Sequence, residues 1–368
     1  MPENHIRILQ VVTQMTRGGL ETMLMNYDRH IDHSKVQFDF LEHRDAVTDY
    51  DREILELGGK IHRLPRLNPM SPAYLKALDR FFAEHPEYRI VHSHLDCMAG
   101  IPLKAAKKRG VPVRIAHAHS SNQVKDAKYP LKLYYKRDIP TYATHLYACG
   151  EEAGRWMFHG HPFSVLNNAI DSAAFQYNEK IRSQYRDELG ISEHTLLVGH
   201  VGRFMQAKNH MFLLDVFCAL LKRQPDSKLL LVGQGELESA VREKVAALDI
   251  SHRVIFTGVR KDVSSLFQAM DVFALPSLFE GLPLVLVEAQ SAGLPCVISD
   301  HVPPECEKTR DLVKFLPLEA GTDRWAEEIL RSAGIERRDT LAEIQASGFD
   351  IRDNALKLQQ FYLDHWQA

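Results

Sequence analysis

Glu280 and Glu288 stand with seven residues between them in the stretch Ser277-Leu278-Phe279-Glu280-Gly281-Leu282-Pro283, which runs on to Gly293-Leu294-Pro295. Glu280 shares a tight loop with Gly281, and Glu288 lies inside the helix that follows. Carboxylates so placed accept hydrogen bonds from hydroxyls of one ligand, as acidic residues do for ribose. The helix start, from Gly281 through Leu282 and Pro283 to Leu284, adds free backbone N–H groups and the positive end of a dipole, which suit a phosphate. Upstream, Gly202-Arg203 and Lys208-Asn209 flank a short loop before another helix. A guanidinium fork grips a pyrophosphate in bidentate fashion, and an ammonium meets it as a point charge. Gly233-Gln234-Gly235 is a turn whose glycines let a ligand approach the backbone. Singly, these features are a solvated loop, two solvated cations and a plain turn. Together, on successive strand ends, they describe a nucleoside-diphosphate pocket.

The first half carries a sparser set. Thr16-Arg17-Gly18-Gly19-Leu20-Glu21 is a glycine turn between a strand and a helix, without the G-x-G-x-x-G spacing of a dinucleotide fingerprint. His119 stands at the end of a strand, in His117-Ala118-His119-Ser120-Ser121, placed to bond a sugar hydroxyl. His117 points to the same face two residues earlier. His92 and His94 repeat that geometry one strand away and read as packing groups or as supports for His119. With 19 histidines in the chain, most are structural.

These residues need a scaffold that presents strand ends, and the chain alternates strands with helices throughout. Strands are expected at Ile6–Val12 and at 36–41, 60–64, 90–92, 113–119, 146–149 and 163–166. In the second half they are expected at 196–200, 228–232, 254–256, Val272–Leu275 and Cys296–Ser299. Helices fill the intervals, among them 71–84, 98–109, 129–143, 209–222 and 236–247, with closing helices near 323–333 and 351–366. Pro276 ends one strand, Pro283 takes the first helical position and Gly293 follows the helix end. Strand–helix alternation repeated in two halves argues for two parallel-sheet domains, with the ligand crevice beyond the carboxyl ends of the strands. The boundary falls in the irregular segment 167–190.

Composition narrows the class. A chain of 368 residues exceeds one ordinary core. Hydrophobic content of 45% and charged content of 25% describe a soluble globular protein, and a net charge of -3 gives no reason to expect nucleic acid as a partner. Five scattered cysteines without metal-ligand spacing fit buried thiols in a reducing compartment, and no signal peptide or spanning apolar run appears. A cytoplasmic protein is the expectation. The basic cluster Lys104, Lys107, Lys108 and Arg109 offers a peripheral membrane contact, although a solvated helix face accounts for it as well.

With these motifs assembled, the chain resembles glycosyltransferase family 4, in the bacterial subgroup that builds capsular, exopolysaccharide or lipopolysaccharide chains. The likeness rests on Gly202-Arg203 with Lys208, on Gly233-Gln234-Gly235, and on Glu280 and Glu288 followed by Ala289 and Gly293-Leu294-Pro295. Val165-Leu166-Asn167-Asn168-Ala169-Ile170-Asp171 is similar to the family's interdomain segment, with Asn167 and Ala169 where proline and glycine are usual. The resemblance implies an α/β GT-B fold: two Rossmann-like, doubly wound parallel-sheet domains facing an interdomain cleft. Residues 1–170 would form the acceptor domain, joined by a C-terminal helix at 350–368 that crosses back, and 171–349 the nucleotide-sugar donor domain. It implies that Arg203 and Lys208 hold the donor diphosphate and that Glu288 binds the ribose. Glu280 and the amides from Gly281 to Leu284 would hold sugar and phosphate. Gly18, Gly19, Gly202, Gly233 and Gly235 would border the donor, Val259 and Arg260 would flank the base, and His119 would touch the donor sugar.

The implied reaction is sugar transfer with retention from a nucleotide-sugar, UDP by family frequency, to a glycan or lipid-linked acceptor. No cofactor and no metal are implied, and no Asp-x-Asp stands among the donor motifs named above. Stabilisation of the departing diphosphate by cations and amides would replace the metal. The competing readings are a nucleotide-sugar epimerase, which would convert the donor alone, and a non-catalytic sugar-nucleotide-binding scaffold. One departure stands out: residues 300–307, with Pro303-Pro304, replace a segment that contains glycine in the family, which leaves the shape of that loop open.

Overall fold

A computed structural model describes residues 5–16, 18–120 and 129–367 of the chain. Arg17 and Ser121, part of two segments quoted above, lie outside them. The chain divides into two compact units, Met1–Ala169 with Ile351–Ala368, and Ile170–Asp350.

The first unit is built on seven parallel strands: β1 (Ile6–Val12), β2 (Val36–Glu42), β3 (Ile61–Arg63), β4 (Ile90–Ser93), β5 (Val113–Ala118), β6 (His145–Ala148) and β7 (Ser164–Val165). Their order across the sheet is β3-β2-β1-β4-β5-β6-β7. β1 is apolar apart from Arg7 and Gln10, as a strand covered by helices on both faces tends to be: Ile8, Leu9, Val11 and Val12 are fully buried. One core, with Leu9, Val11, Val91 and Ala116, lies on one face, and a second, with Ile8, Val12, Ile90 and Ile115, on the other. The helix Ile351–Trp366 packs in the second core through Ile351, Ala355, Leu358 and Tyr362. The sequence reads 129–143 as one helix; the structure has two, Tyr129–Arg137 and Ile139–Tyr142. Pro140 accounts for the break, since its ring fits the first turn of a helix but not the interior.

A polar pin holds the first three strands. Asp39 on β2 is fully buried and accepts from Arg7 Nε at 2.6 Å, from a terminal nitrogen of Arg7 at 2.5 Å, from Tyr88 Oη at 2.7 Å and from Lys60 N at 2.7 Å. A buried carboxylate persists only when paired and saturated in this way.

The second unit repeats the plan with six parallel strands: β8 (Leu196–Val201), β9 (Ser227–Val232), β10 (Val254–Gly258), β11 (Val272–Leu275), β12 (Cys296–Ser299) and β13 (Val313–Leu316). Their order is β10-β9-β8-β11-β12-β13. In each sheet the winding reverses between two adjacent strands, β1 and β4 in the first and β8 and β11 in the second. Beyond the carboxyl ends of such a pair no crossover covers the sheet, so the loops there frame a crevice. β13 escapes the sequence reading because four residues that include Lys314 give no clear strand period. The short helices Ser172–Phe175 and Leu341–Ala346 are missed for the same reason of length. Among the described residues no helix is long and apolar enough to cross a membrane.

Candidate functional site

The winding reversal of the second sheet brings Gly202-Arg203, at the end of β8, beside the loop that leaves β11. Pro276 closes β11, and the helix Leu284–Ser291 begins eight residues later. Pro283 stands at the N-cap, one place before the position expected from sequence. Its φ of −74° suits either place, and its extended ψ of 104° decides the matter. The other loop carries a single turn of 3₁₀ helix, Gln206–Lys208, ahead of the helix His210–Arg223. Leu278 N donates to Ala207 O at 2.8 Å and ties the two loops together.

The ion pair between Lys208 and Glu280 lies at this junction. Lys208 Nζ donates to Glu280 Oε1 at 2.6 Å, and Ser277 Oγ donates to the same oxygen at 2.6 Å. The two side chains are 15% and 12% exposed, so both charges are held mostly out of water. Ser299 Oγ in turn donates to Ser277 O at 2.6 Å, which steadies the loop from the end of β12. Behind the helix, Gln290 gives the departing segment its shape. Its Oε1 accepts from Lys308 N and Thr309 N, and its Nε2 donates to Cys306 O. A side chain thus does what a glycine-rich turn would do elsewhere.

A cavity of about 600 Å³ opens over this junction, lined by Gly202, Arg203, Lys208, Pro283, Leu284 and Glu288. Arg203 is 71% exposed, and its 3.7 Å approach to Glu236 is a solvated pairing that adds little and leaves the guanidinium available. Glu288 faces the cavity from the helix, and burial pushes its carboxyl up to about 7. Lys261, Ser264 and Phe175 also line the space, and sequence reasoning missed them. Lys261 carried one usable signal, a cation just past the end of β10.

Not every residue singled out from sequence joins this cavity. Gly233 and Gly235 abut the neighbouring loop: a Cβ on Gly233, whose φ is +136°, would strike Gly202 O, and one on Gly235 would strike Phe204 O. The close approach they permit in this structure is that of another backbone. Val259 is 62% exposed and outside the lining, and the guanidinium of Arg260 forks onto Asp262 at 2.5 and 2.8 Å. Gly281 is exposed, in open space, and Leu282 packs partly into a core.

In the first unit Gly18 caps the helix Gly19–His30, and the carboxylate of Glu21 turns back onto the Gly18 backbone. His119 extends from the end of β5, with its backbone N–H donating to Asp96 Oδ1 at 2.9 Å. Its ring turns inward. Nε2 lies 2.9 Å from His94 Nδ1, and Nδ1 is buried without a partner among the described residues. Of the basic cluster, Lys108 and Arg109 both pair with Asp79, while Lys104 and Lys107 lie over the Tyr142 ring.

The raised carboxyl of Glu288 predicts a pH signature. The unfolded chain ionises this group near 4.5, while the folded protein keeps it protonated to about 7. Stability of the unliganded protein therefore falls as pH rises through that window and levels off above it, by at most about 3 kcal/mol. Glu288→Gln should flatten the slope, read as the difference between variant and parent in urea midpoint against pH. Parallel profiles would show that the carboxyl is already ionised in the cavity.

Comparison with known proteins agrees with this architecture. The family model for glycosyl transferases group 1 matches residues 195–333, and that for glycosyltransferase family 4 matches residues 17–174. The putative glycosyltransferase EpsF of Bacillus subtilis is 36% identical, over 98% of this chain and 97% of its own. An Escherichia coli enzyme named UDP-Gal:alpha-D-GlcNAc-diphosphoundecaprenol alpha-1,3-galactosyltransferase is 26% identical over 76% of each chain. Among solved structures, Anabaena HepE in complex with UDP superposes with a TM-score of 0.73 at 18% identity, covering 96% of this chain and 94% of that one. Two all-parallel sheets in Rossmann order, family models matching in both halves and a relative aligned almost end to end lead to one conclusion: the chain belongs to the family 4 glycosyltransferases and has the GT-B fold.

Proposed function

We propose that the chain transfers a sugar, with retention of configuration, from a UDP-sugar to a hydroxyl of a glycan or lipid-linked acceptor in bacterial surface-polysaccharide synthesis. The observation that carries this reading is the cavity at the β8–β11 reversal, where Arg203 and Lys208 stand opposite a helix N-terminus, with Glu288 inside. The leaving group of such a transfer is a nucleoside diphosphate, whose departure is limited by charge developing on the β-phosphate. Two cations and the amides at the start of Leu284–Ser291 would meet that charge with little reorganisation, which makes electrostatic preorganisation the main catalytic term. Glu288 would accept hydrogen bonds from the ribose hydroxyls, and Glu280, oriented by Ser277 and Lys208, from the donor sugar. These groups supply the stabilisation without a metal in the donor site. The acceptor hydroxyl would attack from the face the diphosphate leaves, because retention without an enzyme nucleophile requires it. Gly18, Gly19 and His119 are the first unit's candidates for touching the donor.

The UDP in the HepE complex and the UDP-galactose and polyprenyl-diphosphate acceptor in the name of the E. coli relative support the choice of nucleotide and acceptor class. Lys104 and Lys107, unclaimed by Asp79, make a peripheral contact with an anionic membrane surface part of the proposal. The test is thermal stabilisation by a panel of UDP-, GDP-, ADP- and CMP-sugars. A ligand at 100 times its Kd stabilises the native state by about 2.7 kcal/mol, a readable shift. A shift confined to uridine nucleotides is expected, followed by turnover with product anomers assigned by NMR. Stabilisation by another nucleotide family would replace UDP, and stabilisation by none would overturn the assignment of the pocket.

A further inference from the structure

The first unit buries four imidazoles side by side near the carboxyl ends of β4 and β5. Ring centroids are 4.3 Å apart for His92 and His94, 5.2 Å for His92 and His117, and 5.2 Å for His94 and His117. His119 completes the group, 4.1 Å from His117. Parallel pairing explains the gathering: His92 is in register with Ile115 and Ser93 with Ala116, so alternate residues of both strands bring histidines to one face.

The hydrogen bonds around this group are incomplete in a patterned way. Gln10 Oε1 lies 2.9 Å from His94 Nε2, and an amide oxygen only accepts, so His94 carries its proton there. Tyr362 Oη lies 2.7 Å from His92 Nδ1. The outward nitrogens of His92 and His94 are thus engaged by oxygen atoms. His92 Nε2, both nitrogens of His117 and Nδ1 of His119 are buried and lack partners among the described residues. Buried groups left this way call for an unseen water or ion. A cavity of about 10 Å³, with Gln10, His92, His94, His117 and Tyr362 on its polar side and otherwise walled by apolar side chains such as Met23, Phe38 and Leu358, is about the size of one small species. One nitrogen from each of the three rings lies within 4.8 Å of one from each of the others.

We propose that His92, His94 and His117 form a buried binding site for one divalent transition metal ion of the zinc class. Oxygen partners on the outer ring nitrogens are the usual support of metal-bound histidine, since they fix ring orientation and raise ligand basicity. Imidazole donors select zinc, copper, cobalt or nickel over magnesium and calcium. The ligands must be neutral, and burial holds all four rings so: His92 and His119 are pushed down to about 3, and His94 and His117 are held well below the usual histidine range. Tetrahedral zinc with nitrogens at about 2.0–2.1 Å sets them roughly 3.4 Å apart, so the three nitrogens, within 4.8 Å of one another, would draw together when the ion binds. The ion would clasp β4 to β5 just before His119; it would take the lone pair of His94 Nδ1, the atom 2.9 Å from His119 Nε2, so His119 would release that contact when the ion binds. The site is independent of the sugar-transfer reading and lies in the unit that does not contain the 600 Å³ cavity.

The test is metal content of the untagged full chain, expressed with added zinc and passed over a sizing column, measured by plasma mass spectrometry. Close to one zinc per chain is expected, falling several-fold in His117→Ala but not in His161→Ala, an exposed control. If His117→Ala does not fold, His92→Asn serves instead. Protein stripped by chelator and titrated with Co²⁺ should develop the visible absorption of a low-symmetry, nitrogen-rich site, and zinc should raise its Tm. Metal content equal in parent, His117→Ala and His161→Ala, with no visible cobalt bands, would overturn the proposal and assign the cavity to a single water.

Discussion

Replacing Lys208 with alanine should lower kcat by about 10²–10³-fold, the range found when one preorganised group is removed from a developing negative charge. The effect has two parts that can be separated. Lys208 Nζ is the mostly buried cation bordering the cavity, so its loss removes stabilisation that grows as the diphosphate departs. Its loss also leaves Glu280 mostly buried, with Ser277 Oγ as the remaining donor to Oε1. A carboxylate in that position costs stability, because desolvation is no longer offset by its partner. The variant should therefore show a lower Tm as well as slow turnover. Lys208→Ala combined with Glu280→Gln should recover the Tm without recovering kcat. Recovery of both would mean that the lysine serves only to neutralise Glu280, and the catalytic role assigned to it would fall.

Asp39→Ala should destabilise the first unit by about 3–5 kcal/mol, the cost of stripping a buried charge of its partner. Arg7 is 7% exposed, and both its bonds to Asp39 would vanish together with those from Tyr88 and the Lys60 amide. Four donor atoms, two on Arg7 in β1 and one each just ahead of β3 and β4, would lose this acceptor, and the terminal nitrogen of Arg7 would keep Gly58 O at 3.2 Å. The loss should appear as a lower urea midpoint for the transition that reports the first unit, with the slope unchanged. Asp39→Asn, which keeps the shape and one acceptor oxygen, should lose less. Equal losses in the two variants would show that shape, not charge, sets the cost at this position.

Both predictions concern pairs that no sequence pattern displays. The parallel strands are legible because strands covered on both faces are largely apolar, as in Val272–Leu275 and, apart from Arg7 and Gln10, in Ile6–Val12, and because glycine and proline punctuate their ends. The helix that holds Glu288 is legible for the same local reasons, although its first residue is not: φ alone cannot place Pro283 inside or outside the helix. β13 and the helix Leu341–Ala346 are too short to show a period.

Within the candidate site, residue types and spacing single out Gly202, Arg203, Lys208, Pro283, Leu284 and Glu288, which the structure places around one cavity. Spacing does not reveal that Glu280 bonds Lys208, 72 positions away, or that Lys261 joins the lining from beyond β10. Nor does it reveal that Gln10 and Tyr362, 352 positions apart, engage two histidines of the same cluster. Local pattern determines which residues form an element and which face it buries, because burial and periodicity act over a few neighbouring positions. Which loops meet is decided by the order of strands across each sheet, and that order is settled by packing among elements distant in sequence.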